Sequence, residues 1–290
     1  MEHSEGRYAL IRHLVLFFFL PIMGFATQAA FDASTGLVVA DVRINNRVTG
    51  RFGIDTGADR LYIDKSFAEK HYLAREGIPD QRQVVGLNGV TGGYFVSFRS
   101  MEVGDQRLNN VKATVIDFNE LSGNRSVNHP DGLIGYDILR RMYVTVDYPA
   151  NSFELETNQP RFLSGRGYER VSFKPIKHMV VVDVTFIDGR TRPMILDYCA
   201  THTVISPELA EQIHINSEDG GSIFLDLEIQ GTIRSSGVET IVRDMSSLRR
   251  SMPRVKIDGI LGRTFLADHK ITIDYRTSQI YLHHNAVAGK

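Results

Sequence analysis

The chain has 290 residues, enough for one large domain or two small ones, each able to bury a proper core. Its 33 basic and 34 acidic residues nearly cancel and form no basic cluster, which leaves no field to hold nucleic acid or an anionic membrane. A single cysteine, Cys199, excludes an internal disulfide, so stability has to come from packing.

From the N-terminus, Arg7, Arg12 and His13 precede the apolar run Leu14 to Phe25, and the small-residue stretch ATQAA follows. That order is the pattern of a secretory leader, with cleavage expected near Ala29 or Ala30. The run is also shorter than the ~20 residues of a spanning helix. Residues 1–30 therefore read as a signal peptide, and the protein as exported, periplasmic or secreted, touching a membrane only through that signal. Phe31 to Gly36 leaves little room for a pro-segment.

Leu37 to Asp55 reads as two strands around the turn pair Asn45-Asn46, and it ends in the tripeptide Asp55-Thr56-Gly57. A short helix is expected at Lys65 to Tyr72, with Phe67 and Ala68 inward. VVGLNGVTGGYF, Val84 to Phe95, reads as a hairpin with a glycine-rich tip; taken alone it is an ordinary surface hairpin, since Asn-Gly is a common turn. DGLIG follows at Asp131, then a strand pair from Val144, then the Pro-, Ser- and Gly-containing linker Gln159 to Gly167. In the second half a turn falls at Asp188-Gly189. A helix is expected at Pro207 to Ile213, capped by Ser206, with Pro207 in its favoured first turn.

The two halves are written to one plan. LVVADVRINNRVTGRFGID, Leu37 to Asp55, aligns without a gap on MVVVDVTFIDGRTRPMILD, Met179 to Asp197, so that Asp55 falls on Asp197. Further on, DGLIGYDIL at Asp131 faces DGILGRTFL at Asp258, and VTVDYPANSFEL at Val144 faces ITIDYRTSQIYL at Ile271. These two later pairs share one offset, smaller than the first, because the first copy is longer between its Asp and its Asp-Gly. The expected architecture is thus all-β: two pseudo-twofold-related lobes with short helices, residues 31–160 and 161–290. In the second copy the aspartate survives as Asp197, but Tyr198 and Cys199 replace the threonine and glycine behind it.

IDTGAD at Ile54, the glycine-rich hairpin and the later Asp-Gly-apolar-apolar-Gly together resemble the aspartic peptidases. IDTGAD with ILGRTFL is especially similar to the retropepsin branch. The resemblance covers about Leu37 to Leu282 and implies a bilobal acid-protease fold, a peptide or protein substrate and no cofactor or metal. It further implies that Asp55 is one of two catalytic carboxylates and that Thr56 ties the lobes together beneath them. Gly57 would bring its amide to the carboxylate, and Asp59 would contact the substrate main chain. The hairpin, with Gly86, Leu87, Asn88, Gly89 and Tyr94, becomes a flap closing over the substrate. Two carboxylates in contact share one proton, so the ionised member can take a proton from water while the other hydrogen-bonds the peptide carbonyl.

The second motif leaves three arrangements open: an active Asp55–Asp197 pair, a retropepsin-style homodimer pairing two first lobes, or a dead cleft that only binds peptides. With one flap and a shorter second copy, the monomer is the expected state. Tyr198 is too long to reproduce the threonine tie, and a Cβ on Cys199 is expected to crowd its carboxylate. Cys199 with His202 lacks a third orienting group for nucleophilic chemistry, and adding Asp55 and Asp197 gives no recognised metal-ligand spacing. Cys199 therefore reads as a small semi-buried thiol. Asp131 and Asp258 are expected to fix turns, Leu133-Ile134 and Ile260-Leu261 to be core, and His283 and His284 to be solvated.

Overall fold

The computed structural model describes residues 29–30, 36–85, 90–122, 129–215, 221–252 and 254–283. The leader's apolar run and the hairpin tip Gly86 to Gly89 lie outside them, as does His284. No helix among the described residues is long and apolar enough to cross a membrane.

The first half contributes β1 (Ala29–Ala30), β2 (Val39–Ile44), β3 (Val48–Ile54), β4 (Tyr62–Asp64), α1 (Lys65–Lys70), β5 (Arg75–Val85), β6 (Val90–Val103) and β7 (Gln106–Ile116). There follow α2 (Phe118–Ser122), β8 (Gly132–Ile134), α3 (Tyr136–Leu139), β9 (Tyr143–Asp147) and β10 (Ser152–Glu156). The linker region holds one short 3-10 turn, Arg161–Ser164. The second half contributes β11 (Tyr168–Ser172), β12 (Lys174–Ile176), β13 (Met179–Thr185), β14 (Thr191–Leu196), β15 (Thr203–Ile205), α4 (Pro207–Gln212), β16 (Ser222–Ile229) and β17 (Ile233–Val242). It ends with α5 (Ser246–Ser251), β18 (Gly259–Leu261), α6 (Arg263–Leu266), β19 (Lys270–Asp274) and β20 (Gln279–His283).

One seven-stranded sheet runs β2-β3-β8-β4-β7-β6-β5, with β6 returning to β2; the other runs β12-β13-β14-β18-β15-β17-β16, with β16 returning to β13. Each is a barrel-like lobe. The repeat in the sequence is a repeat in space: β8, α3, β9 and β10 recur in the same order as β18, α6, β19 and β20, and α1 recurs as α4. The helix starts follow local chemistry. Asp64 caps α1 by accepting from the Ser66 amide at 2.9 Å, and Ser206 caps α4 by accepting from Leu209 at 3.2 Å. In the three-residue turn between the paired Ile44 and Val48, Asn45 and Asn46 both have positive φ, 51° and 56°, a conformation asparagine tolerates.

A third, six-stranded sheet, β1-β10-β9-β19-β20-β11, belongs to both halves. At its centre β9 pairs antiparallel with β19, Thr145 opposite Thr272, and the two hydroxyls meet at 2.7 Å. Those threonines hold matching places in the repeat, so each is the other's image and the pseudo-twofold axis passes between them. His283, expected to be solvated, is instead drawn into this sheet because β20 pairs with β11. Its Nε2 lies 2.7 Å from the Thr272 hydroxyl and its ring centre 4.1 Å from that of Phe162, so burial pushes its pKa down to about 4.

Asp-Gly-apolar-apolar-Gly packs behind each aspartate strand: β3 pairs parallel with β8, and β14 with β18. A Cβ on Gly135 would stand 2.3 Å from the Arg60 carbonyl, and one on Gly262 the same distance from His202, which only glycine avoids. Leu133 and Ile134 fill out one repeat of this packing and Ile260 and Leu261 the other; three of the four are buried and Leu133 packs as a half-buried neighbour. Asp131 holds the Arg51 amide at 2.7 Å; its image Asp258 faces Pro193, which has no N–H, and binds Arg249 and Lys256 instead.

Tyr198 is fully buried and spans the seam, donating its hydroxyl to the Ile271 carbonyl of β19 at 3.1 Å and packing edge-on against Tyr148. Giving this position the threonine of the first copy, Tyr198→Thr, is therefore expected to destabilise, by about 3 kcal/mol for the vacated ring. Tyr198→Phe, which loses only the hydroxyl bond, should cost about 1 kcal/mol. Thermal unfolding of the two variants checks that order.

Asp137, at the start of α3, accepts from the Ile138 and Leu61 amides, yet its Oδ1 is buried without a hydrogen-bond partner among the described residues, and burial pushes its pKa up to about 6. The unfolded carboxyl ionises near 4 while the folded one holds its proton to about 6, so stability present in acid is lost as pH rises through that window. Asp137→Asn is expected to raise stability at pH 7 by about 1 kcal/mol after solvent screening, and to leave it unchanged at pH 4. Denaturant melts at the two pH values measure the difference.

Candidate active site

β3 and β14 end side by side at the seam and deliver Asp55 and Asp197 to one point. The two carboxyl groups are half-buried and hydrogen-bonded to each other. A Cβ placed on Gly57 would sit 2.8 Å from Asp197 Oδ2 and 3.2 Å from Asp55 Oδ1, so both oxygens flank the same bare backbone atom. The Gly57 and Ala58 amides donate to Asp55 Oδ1 at 2.8 and 3.0 Å, and the Cys199 amide donates to Asp197 Oδ1 at 2.8 Å. Burial raises the pKa of Asp55 first and the charge of Asp197 raises it further, against the pull of the two amides. Burial likewise raises Asp197, against the Cys199 and Ala200 amides. The pair consequently keeps a proton to higher pH than an ordinary carboxylate.

Thr56 is fully buried beneath the pair. Its hydroxyl donates to the Leu196 carbonyl at 2.8 Å and accepts from the Tyr198 amide at 3.1 Å, two bonds that cross from lobe to lobe. The reciprocal hydroxyl is the one Tyr198 has carried off to Ile271.

Cys199 does not crowd its carboxylate as the sequence suggested. Its amide-to-Asp197 bond has the same 2.8 Å length as that from Gly57 to Asp55, because the thiol turns toward lobe 1. There a Cβ on Gly53 would lie 3.1 Å from the sulfur; the missing side chain makes room. Burial pushes the thiol pKa up, the opposite of an activated nucleophile. His202 is occupied locally, its Nδ1 3.0 Å from the Thr201 hydroxyl. Among the described residues no group of three or more His, Cys, Asp or Glu is arranged to hold a metal.

Above the carboxylates lies a cavity of about 300 Å³. One wall is the lobe 1 cluster of Ala58, Tyr62, Val84, Leu121 and Leu133; the other is the lobe 2 cluster of Met179, Ile195, Leu248 and Ile260. Asp59 opens onto the cavity, bound by the Arg60 guanidinium at 2.7 Å and by the Tyr62 hydroxyl. Burial alone would raise its pKa, but those two hydrogen bonds outweigh it and hold the carboxyl below the usual range. Tyr94, expected in the cleft, is not among the lining residues. It lies under the Arg75 guanidinium, 4.8 Å from ring centre to carbon, beside a separate groove. Gly86, Leu87, Asn88 and Gly89 lie outside the described residues. The arm β5 does bring Val84 to the cavity, and among the described residues no strand occupies its place beside β16.

Sequence reasoning missed Tyr62, Lys177 and His178, all of which line the cavity. Tyr62 follows the first motif closely and its polar ring was the available signal. Lys177 and His178 form the tip of a lobe 2 hairpin, and nothing local announces that this tip reaches the first lobe.

The aspartyl protease family model matches residues 40–138, which span β2 to α3 and include Asp55, Thr56, Gly57 and the hairpin. A search of curated proteins found no match. Among solved structures, the chain is similar to the aspartic proteinase from Irpex lacteus at 12% identity and a TM-score of 0.60, over 90% of this chain and 98% of that one. Residues 40–138 thus match the aspartyl protease family, and the chain as a whole has the two-lobed fold of an aspartic proteinase.

Proposed function

We propose that the chain is an exported aspartic endopeptidase that hydrolyses a peptide held extended between its lobes, with Asp55 and Asp197 as the catalytic pair. The observation that carries this reading is the contact of two half-buried carboxyls from one chain at the floor of a two-walled apolar cavity. The ionised member accepts a proton from water, the protonated member donates to the substrate carbonyl, and water attacks with no covalent intermediate. Gly57, Ala58 and Cys199 amides hold the ionised charge, and Thr56 keeps the lobes from sliding at the bond that reacts. The apolar walls favour substrates with apolar side chains on both sides of the scissile bond. In this reading Asp59, which opens onto the cavity, takes a substrate amide, and the leader-like N-terminus supports export. Both carboxylates lie within one chain, which favours a monomer over the homodimer.

A second reading is favoured by one feature: Tyr198 removes half of the cross-lobe hydroxyl exchange. In that reading the cleft binds peptides without cutting them.

Incubating the mature chain with an unfolded-protein library between pH 4 and pH 8, and sequencing the products, separates the two. Cleavage that falls at least a hundredfold in Asp55→Asn is expected. No cleavage, or equal cleavage by the variant, sinks the peptidase reading, and retained peptide binding then supports the second.

The pH profile follows from the raised pair. The acid limb of kcat/KM marks loss of the base and is expected above the ~4 of a free carboxylate, because burial holds the proton more tightly. A limb at or below pH 4 contradicts that assignment.

A further inference from the structure

The loop carrying Asp55 is gripped from the other lobe by a side chain outside the motif. β12 and β13 are joined by the two-residue turn Lys177-His178, with Ile176 opposite Met179 and Lys177 at a φ of 56°. The turn projects to the seam. Lys177 Nζ is anchored on the Ser251 carbonyl at 2.6 Å, at the end of α5, and His178 Nε2 stands 3.0 Å from the Gly57 carbonyl. Gly57 O and Ala58 N belong to one planar peptide unit. Ala58 N–H is the group that donates to Asp55 Oδ1 at 3.0 Å. The imidazole, the peptide and the carboxylate are therefore in series: Nε2–H to the carbonyl at one end, N–H to Oδ1 at the other.

The repeat makes this chain of bonds one-sided. The alignment that sets Asp197 on Asp55 sets His178 on Gly36, which has no side chain. A Cβ there would stand 3.5 Å from Arg263 Nη1 and from Thr201 Cγ2, and Thr201 is the image of Asp59, so Gly36 occupies the matching place beside the second loop, with a guanidinium rather than an imidazole near it. The amide of Ala200 faces Asp197 without an imidazole behind it. The same loop of lobe 1 is where Tyr198 no longer supplies a hydroxyl, so His178 adds a tie where one has been withdrawn.

We propose, building on the peptidase reading, that His178 is a positioning residue for the Asp55–Asp197 pair: it fixes and polarises the Gly57–Ala58 peptide, and so makes Asp55 the more firmly held of two otherwise matched carboxyls. Hydrogen bonds in series strengthen one another, so a donor on the carbonyl makes Ala58 N–H a better donor to the carboxylate. Both the neutral ring protonated on Nε2 and the imidazolium supply that donor, and the tie persists through the titration of the ring. The charged groups facing the ring are Asp59 and Arg60 from lobe 1 and Lys177 from its own turn.

The test follows the carboxyl titration of the pair directly, by NMR of the full mature chain labelled at the aspartate carboxyl carbons, with Asp55→Asn and Asp197→Asn to assign the signals. His178→Ala is expected to move the Asp55 titration upward by about half a pH unit or more, through the weakened Ala58 bond. His178→Gln, whose amide N–H reaches the same carbonyl, should restore it. An unshifted titration in His178→Ala overturns the proposal. So does an equal shift in His178→Gln, which would make the effect that of the ring's charge. Because this signal needs no turnover, it decides the role of His178 even if the library assay sinks the peptidase reading. With turnover, the acid limb of kcat/KM should move with the NMR signal while KM changes less than about twofold.

Discussion

Two half-buried carboxyl groups pressed against each other are tolerable only with a proton between them and donors around them, and that demand organises this molecule. Removing one carboxylate from water costs several kcal/mol, and a second negative charge beside it costs more. The chain meets the demand with backbone amides from two facing loops, a shared proton and a threonine hydroxyl that bonds across the seam. Every one of these donors belongs to a loop whose position depends on how the lobes abut. The antiparallel joining of β9 to β19, with Thr145 against Thr272 on the axis, is accordingly part of the site although it touches neither aspartate.

The second copy has departed from the motif without losing this frame, and the compensations are specific. Tyr198 gives up the short hydroxyl exchange but fills the seam and bonds to β19. Cys199 keeps its amide on Asp197 because Gly53 yields space to the sulfur. The altered letters are thus accommodated by specific neighbours, Tyr198 by β19 and Tyr148 and Cys199 by Gly53. The result is an asymmetric site built on a symmetric plan, with Asp59, Tyr62 and His178 crowding one half and Thr201 and Gly36 the other.

Much of the fold was legible because a repeat doubles every signal. Helix α1 was expected from inward Phe67 and Ala68 and α4 from the Ser206 cap and Pro207, and the aligned motifs around them gave the matching order of strands in the two halves. The glycine-rich hairpin and the aspartate motif carried local chemistry that needs no tertiary context. His283 and Tyr94 were misread for the converse reason. Strand pairing with β11 buried the histidine, and the hairpin's placement put the tyrosine beside Arg75 rather than at the cavity.

The amino-acid order by itself determined two like lobes, a strand ending in each aspartate and an Asp-Gly-apolar-apolar-Gly segment following each, because these depend on periodicity and turn chemistry within a short span. The tertiary structure alone decided that Asp55 meets Asp197, that Cys199 turns toward Gly53, and that His178 reaches Gly57. Each of those contacts joins one half of the chain to the other, and only the closing of two lobes on a common axis brings such distant residues within hydrogen-bonding or van der Waals distance.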